Sequence, residues 1–213
     1  MLYPMNMKLS GRRCVVLGGG AVAFRKVGTL RQAEARVVVI APEVVPALAE
    51  MAERGEIEWQ RASYEQGCLR GAFLVICATD DVAVNRQAAE EARLEGALVN
   101  APAQPELSDF SVPASLRRGN LLLAVSTGDL SPAFSRVLRE YLEEEFPPVF
   151  GEWLERLHVL REEAKARIGT SREREAFWRR AMDRRVLDFV RDGQLDRAEA
   201  ELRYAIDGSW TES

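Results

Sequence analysis

The run Gly18-Gly19-Gly20-Ala21-Val22-Ala23 fits the pattern G-x-G-x-x-G/A. It follows a predicted strand, Arg13–Leu17, and opens a predicted helix, Val22–Ala33, which is the setting that gives the pattern meaning. Gly18 permits a tight turn, and Gly20 lets the backbone approach a pyrophosphate. Ala23 is small enough for the helix to pack on the strand. Around Ala21 and Val22 the helix N-terminus offers free N–H groups and partial positive charge to phosphates. The chemistry expected of such a loop is dinucleotide binding. The alternative is a glycine turn with no ligand.

A second strand, Arg36–Ile40, should carry an acid near its end for the adenosine ribose. The nearest acid is Glu43, three residues beyond Ile40 and just after Pro42. No Arg stands at 41–44 to meet a 2′-phosphate, so the sequence favours NAD over NADP. Thr79, Asp80 and Asp81 follow the carboxyl end of the apolar run Ala72–Ala78, the edge where open α/β sheets bind ligands. They read either as cofactor contacts or as a helix cap with a first-turn acid.

Other residues support less chemistry. Ser126 and Thr127 end a predicted strand beside Gly128 and could meet a substrate, or simply form a turn. Arg117, Arg118, Arg136 and Arg139 are either solvated charges or recognition groups for a carboxylate-rich ligand. His158 is the sole histidine and lies among Leu154, Leu157 and Leu160, which suits a structural or surface role. No His/Cys cluster has metal-ligand spacing, so no metal-binding residues are assigned. Cys14, Cys68 and Cys77 read as reduced, buried thiols.

These residues need a scaffold. In the first hundred residues, short apolar runs alternate with helical stretches: Val44–Arg54, an edge strand at Glu56–Gln60, Val82–Glu95 and Leu98–Asn100. That alternation predicts an α/β, Rossmann-like parallel sheet. A proline-punctuated loop follows, then a strand at Leu121–Ser126 and a helix from Pro132 to Glu145, capped by Ser131 and stopped by Pro147-Pro148. Beyond lies an all-helical region. Thr170-Ser171-Arg172-Glu173 opens a helix that Gly193 ends, and Leu195, Ala198, Leu202 and Ile206 mark another. The division expected is 1–112 for cofactor binding, 113–149 as a small α+β dimerisation segment and 150–213 as a helical domain. The strand and helix of 113–149 are too little for a core of their own, which argues for a homodimer.

Composition narrows the function classes. With 47% hydrophobic residues the chain can bury a core, and a net charge of −4 argues against a nucleic-acid partner. No stretch approaches the roughly 18 apolar residues of a membrane span. Residues 1–13 lack a long apolar segment and a small-residue cleavage site, so they read as mature sequence of a cytoplasmic protein.

Taken in order, the motifs resemble a known family. The opening MLYPMNMKLSGRRCVVLGGGAVAFRK is similar to that of the precorrin-2 dehydrogenase/siroheme synthase N-terminal family. The similarity continues through Ala78-Thr79-Asp80-Asp81 with Asn85, Pro105-Glu106-Leu107-Ser108-Asp109-Phe110 with Pro113, Ala124-Val125-Ser126-Thr127-Gly128 with Ser131-Pro132, and Arg136–Glu140. It implies NAD-dependent oxidation of precorrin-2 to sirohydrochlorin, in some members followed by ferrous iron insertion, on an intertwined homodimer. The methyltransferase domain of fused siroheme synthases is not expected in this chain. The resemblance further implies that the segments Asn100–Phe110 and Ser126–Asp129 line the tetrapyrrole side.

One position departs from the pattern. The family reads Asn-x-x-Asp before Pro-Glu-Leu-x-Asp-Phe, and that Asp is its best acid–base candidate. Here Asn100 matches the Asn, and Ala103 stands where the Asp is expected. Asp109 is the nearest substitute and becomes the candidate catalytic acid–base residue, with Ser126 and Thr127 as its companions. Loss of a local base weakens metal insertion more than hydride transfer, which depends mainly on positioning. A non-catalytic NAD or tetrapyrrole-binding module is the competing expectation.

Overall fold

The computed structural model describes residues 2–128 and 130–208; Asp129, part of the Ser126–Asp129 segment, lies outside the described residues. The chain forms two compact units, Leu2–Val112 and a second from Pro113 onwards.

In the first unit β1 (Arg13–Leu17), β2 (Arg36–Ile40), β3 (Glu58–Gln60), β4 (Leu74–Cys77) and β5 (Leu98–Asn100) form one sheet in the order β3-β2-β1-β4-β5. Every pairing is parallel, with Leu17 opposite both Ile40 and Cys77. The strand order reverses at β1, so the crevice between the carboxyl ends of β1 and β4 is the ligand position of such a sheet. Both faces are covered, which is why the central strands are continuous apolar runs. On one face Val16, Val39 and Ile76 pack with Ala23, Val27 and Leu30 of α1 (Ala21–Gln32) and Leu48 and Met51 of α2 (Pro46–Glu53). On the other, Val15, Val38, Val75 and Val99 pack with Ala88, Ala89 and Ala92 of α3 (Val82–Leu94). Helix α2 begins later than the expected Val44. Val45 is extended and donates its N–H to the Gly19 carbonyl at 2.8 Å, so the helix starts on Pro46.

The second unit opens with a hairpin that corrects the sequence reading of a loop up to Leu121. β6 (Ala114–Arg118) pairs antiparallel with β7 (Leu121–Val125). Prolines upstream masked β6, and Gly119-Asn120 is the two-residue turn, with Gly119 at φ +55°. Against the hairpin lies α4 (Pro132–Glu145), whose N-cap Ser131 accepts the Phe134 N–H at 3.2 Å. The following helix α5 (Val149–Arg167) meets the hairpin turn backbone to backbone. A Cβ on Gly151 would lie 3.0 Å from the Arg118 carbonyl carbon, and one on Gly119 would lie 3.3 Å from the Gly151 Cα. The expected single helix from Thr170 to Gly193 is two: α6 (Ser171–Ala181) and α7 (Arg184–Arg191), divided where Asp183 caps the Val186 N–H at 3.0 Å. With α8 (Leu195–Ile206) these helices enclose a separate core around Trp153, Leu160, Phe177, Val190 and Leu202. Among the described residues no helix is long and apolar enough to cross a membrane.

Candidate functional site

The glycine loop is wedged between the ends of β2 and β4. Gly18 donates its N–H to the Ile40 carbonyl at 3.0 Å and stands at φ +105°, a conformation that glycine adopts freely. A Cβ on Gly18 would lie 2.3 Å from the Ala78 carbonyl oxygen, and one on Gly19 2.0 Å from that of Glu43. These two glycines are therefore required by the fold itself. Gly20 differs: a Cβ there would meet nothing within 4 Å.

That open space is what a phosphate needs. Gly20 is the N-cap of α1 and supplies no side-chain cap, and Ala21 and Val22 are exposed. The first amide groups of a helix have no intrahelical acceptor and attract an anion. Ala23, one residue on, is fully buried and lets α1 sit close to the sheet. The loop thus fits a dinucleotide pyrophosphate: two glycines close the turn and the third leaves a cradle.

The neighbouring residues divide by task. Thr79 follows β4 and donates its hydroxyl to Asn85 Oδ1 at 2.7 Å, while Asn85 Nδ2 donates to the Thr79 carbonyl and to Gln104 Oε1, each at 3.0 Å. Asn85 is fully buried and ties the β4 end to the loop after β5. In the sequence Asn85 stands only as part of a motif; its value as a tie shows once α3 and the loop are placed. Asp80 is exposed at the sheet edge, and Asp81 caps α3 by accepting the Ala83 and Val84 N–H groups. Pro42 and Glu43 are exposed after β2, and it is the Glu43 backbone that abuts Gly19.

Asp109 is held firmly. Its Oδ1 accepts from Arg93 Nε and Nη2, each at 3.2 Å, and its Oδ2 accepts the Val99 N–H at 2.9 Å. Arg93 also donates to the Leu107 carbonyl at 2.7 Å, and Ser108 Oγ accepts the Ala101 N–H at 2.9 Å. The segment 101–109 is therefore laced to β5 and α3, with Ala103 exposed on it.

Ser126 and Thr127 belong to the second unit. Ser126 Oγ accepts the Gly128 N–H at 3.2 Å. Thr127 Oγ1 lies 3.0 Å from Ser135 Oγ and accepts the Ser131 N–H at 3.2 Å, which builds a hydroxyl cluster at the start of α4. Of the arginines singled out, Arg118 donates to the Phe146 carbonyl at 2.8 Å, whereas Arg136 and Arg139 pair with Glu140 and Glu143 along α4.

Burial keeps two sheet cysteines neutral. It pushes the Cys14 thiol up to about 11 and the Cys77 thiol up to about 12. Neither is a ready nucleophile.

Comparison with known proteins agrees with this geometry. A family model described as NAD(P)-binding matches residues 5–114, and one described as the sirohaem synthase dimerisation region matches residues 150–206. Siroheme synthase of Nitrosococcus oceani is 37% identical over 207 residues, covering 97% of this chain and 44% of that protein. Siroheme synthase of Methylococcus capsulatus is 38% identical over 206 residues, with the same two shares. The chain thus spans less than half the length of these curated relatives. Among solved structures, one named SirC, precorrin-2 dehydrogenase, superposes with a TM-score of 0.76 at 25% identity, covering 97% of this chain and 99% of that one. With an NAD(P)-binding match over its first unit and a dimerisation-region match in its second, the chain belongs to the precorrin-2 dehydrogenase/siroheme synthase N-terminal family.

Proposed function

We propose that this protein is a cytoplasmic, NAD-dependent dehydrogenase that oxidises precorrin-2 to sirohydrochlorin as a homodimer. The observation that carries the reading is the open cradle at Gly20, framed by two glycines that admit no side chain. The bound nicotinamide supplies a hydride acceptor. The chain's part is to hold the pyrophosphate on α1, fix the sheet edge through Thr79 and Asn85, and keep the segment 101–109 in place. Positioning of this kind is what hydride transfer gains most from. The division into 1–112, 113–149 and 150–213 is proposed as cofactor binding, dimerisation and a helical domain that, matching a dimerisation-region model over 150–206, shares in the contact between copies.

Asp109 and the hydroxyls of Ser126 and Thr127 are proposed as the groups that meet the substrate. With Ala103 exposed where the family carries an acid, and Asp109 engaged by Arg93, metal insertion is proposed to be slow. Partnership between copies is supported by the apolar face of α4, where Phe134, Val137 and Tyr141 are exposed on one side of the helix.

The test is incubation with precorrin-2 and NAD⁺, following NADH and the product spectrum, with and without Fe²⁺. Sirohydrochlorin should form at a rate indifferent to Fe²⁺, with little metallated product. Gly20→Asp, which sets a carboxylate in the cradle, should lower NAD⁺ affinity by about 100-fold or more while helical content is kept. Wild-type affinity in that variant would refute the cradle.

A further inference from the structure

The sequence has no arginine at 41–44, but parallel pairing brings one to the same edge from 20 residues beyond Ala41. β3 lies beside β2 with Gln60 opposite Ile40, and the Ala41 N–H donates to the Gln60 carbonyl at 3.2 Å. Arg61, the next residue, therefore stands beside Ala41 at the carboxyl end of β2. Its guanidinium carbon sits 4.3 Å from the centre of the Trp59 ring, and the Trp59 indole N–H donates to the Ala41 carbonyl at 2.9 Å. The indole is pinned to the strand end, and the arginine is stacked on the indole. Arg61 is exposed and has no ion pair or hydrogen-bonded acid among the described residues.

This edge is where an open dinucleotide-binding sheet receives the adenosine ribose, with an acid for a free 2′-hydroxyl or an arginine for a 2′-phosphate. The pyrophosphate cradle is adjacent, because Gly18 bonds Ile40 at the end of this same strand and Gly19 bonds Val45 at the close of the loop that follows it. Ala41 carries no carboxylate, and Glu43 lies two residues further on in the loop.

Resting on the dinucleotide reading above, we propose that Trp59 and Arg61 form the adenosine-end subsite and that Arg61 takes a 2′-phosphate, so the protein binds NADP⁺ as well as NAD⁺. Stacking leaves the guanidinium edge free, and a planar fork with several N–H donors suits bidentate pairing with phosphate. Because the stack restricts the side chain beforehand, less freedom is lost on binding.

Calorimetric titration of the full chain with 5′-AMP and with adenosine 2′,5′-bisphosphate tests the assignment apart from activity. Wild type should bind the bisphosphate at least as tightly as AMP, with the stronger salt dependence expected of an added ion pair. Arg61→Ala should weaken the bisphosphate by about tenfold or more and AMP by less than about threefold, and Arg61→Lys should restore part of the difference. AMP binding with exclusion of the bisphosphate, or equal losses for both ligands in Arg61→Ala, would overturn the subsite. If neither nucleotide nor NAD⁺ bound, the dinucleotide reading itself would fall, and the subsite with it.

Discussion

The two units handle apolar surface in opposite ways. In Leu2–Val112 the sheet is covered on both faces, and four consecutive residues of β1, β2 and β4 are buried. In the second unit, no residue of β7 is fully buried, Ser135 is the buried residue of α4, and Phe134, Val137 and Tyr141 face outward. The helical core of α5–α8 is complete, but the hairpin and α4 are not. A folding unit that has closed its own core can present a rigid ligand edge. One that has left a face open can be finished by another surface, the role proposed above for a second copy.

The sharpest way to break this contrast is at the glycine loop. Gly19→Ala puts a methyl into the Glu43 and Val44 backbone, which cannot yield as a side-chain tip would. It should cost about 3 kcal/mol or more, read as a fall in the denaturant midpoint at constant slope. Gly20→Ala, with open space around its Cβ, should cost no more than about 1 kcal/mol, the penalty of alanine at a helix N-cap. Equal midpoints for the two variants would contradict the division of labour among the glycines.

On the unfinished side, Val137→Glu places a charge on the exposed apolar face of α4 without entering a core. Light scattering should show the dimer weakened by about 100-fold in Kd, with NAD⁺ binding retained by the first unit. A variant that stayed dimeric at nanomolar concentration would place the interface elsewhere.

A smaller effect should follow at Asp109. Asp109→Asn keeps one acceptor for Arg93 or for the Val99 N–H but loses the ion pair, so stability should fall by about 1 kcal/mol. Dehydrogenation should fall more steeply, and with an altered pH profile, if this carboxylate also accepts the substrate proton. A loss of rate with an unchanged profile would confine Asp109 to holding the loop.

The mildest prediction concerns pH. Cys77 has its thiol raised by burial from 9.0 to about 12 in the folded chain. The unfolded thiol ionises first, so stability from keeping it neutral is present in full below pH 9 and is lost as pH climbs towards 12. Cys77→Ser should flatten this alkaline decline. An unchanged slope would assign it to other groups.

Much of this was legible in the sequence because the signals were local. Continuous apolar runs announced β1, β2 and β4; the glycine spacing announced the tight turn into α1; Ser131-Pro132 announced the start of α4. What escaped was non-local or unsignalled. β6 has polar Ser115, Arg117 and Arg118 and follows prolines, so only its pairing with β7 reveals it. The break between α6 and α7 contains neither Gly nor Pro, and a single Asp183 cap makes it. Arg61 was unreadable as a neighbour of Ala41 until β3 was laid beside β2.

The contact between Gly119 and Gly151 has a mechanical corollary. Where two backbones touch directly, no side chain stands between them to change rotamer and absorb a displacement. Arg118 adds a brace from the same turn to the Phe146 carbonyl, just ahead of α5. The hairpin and the first turn of α5 therefore behave as a welded joint with a stiff arm, β7, leading away from it to Ser126 and Thr127. The hydroxyl cluster thus stands one strand's length from a joint that holds no side chain to act as a cushion.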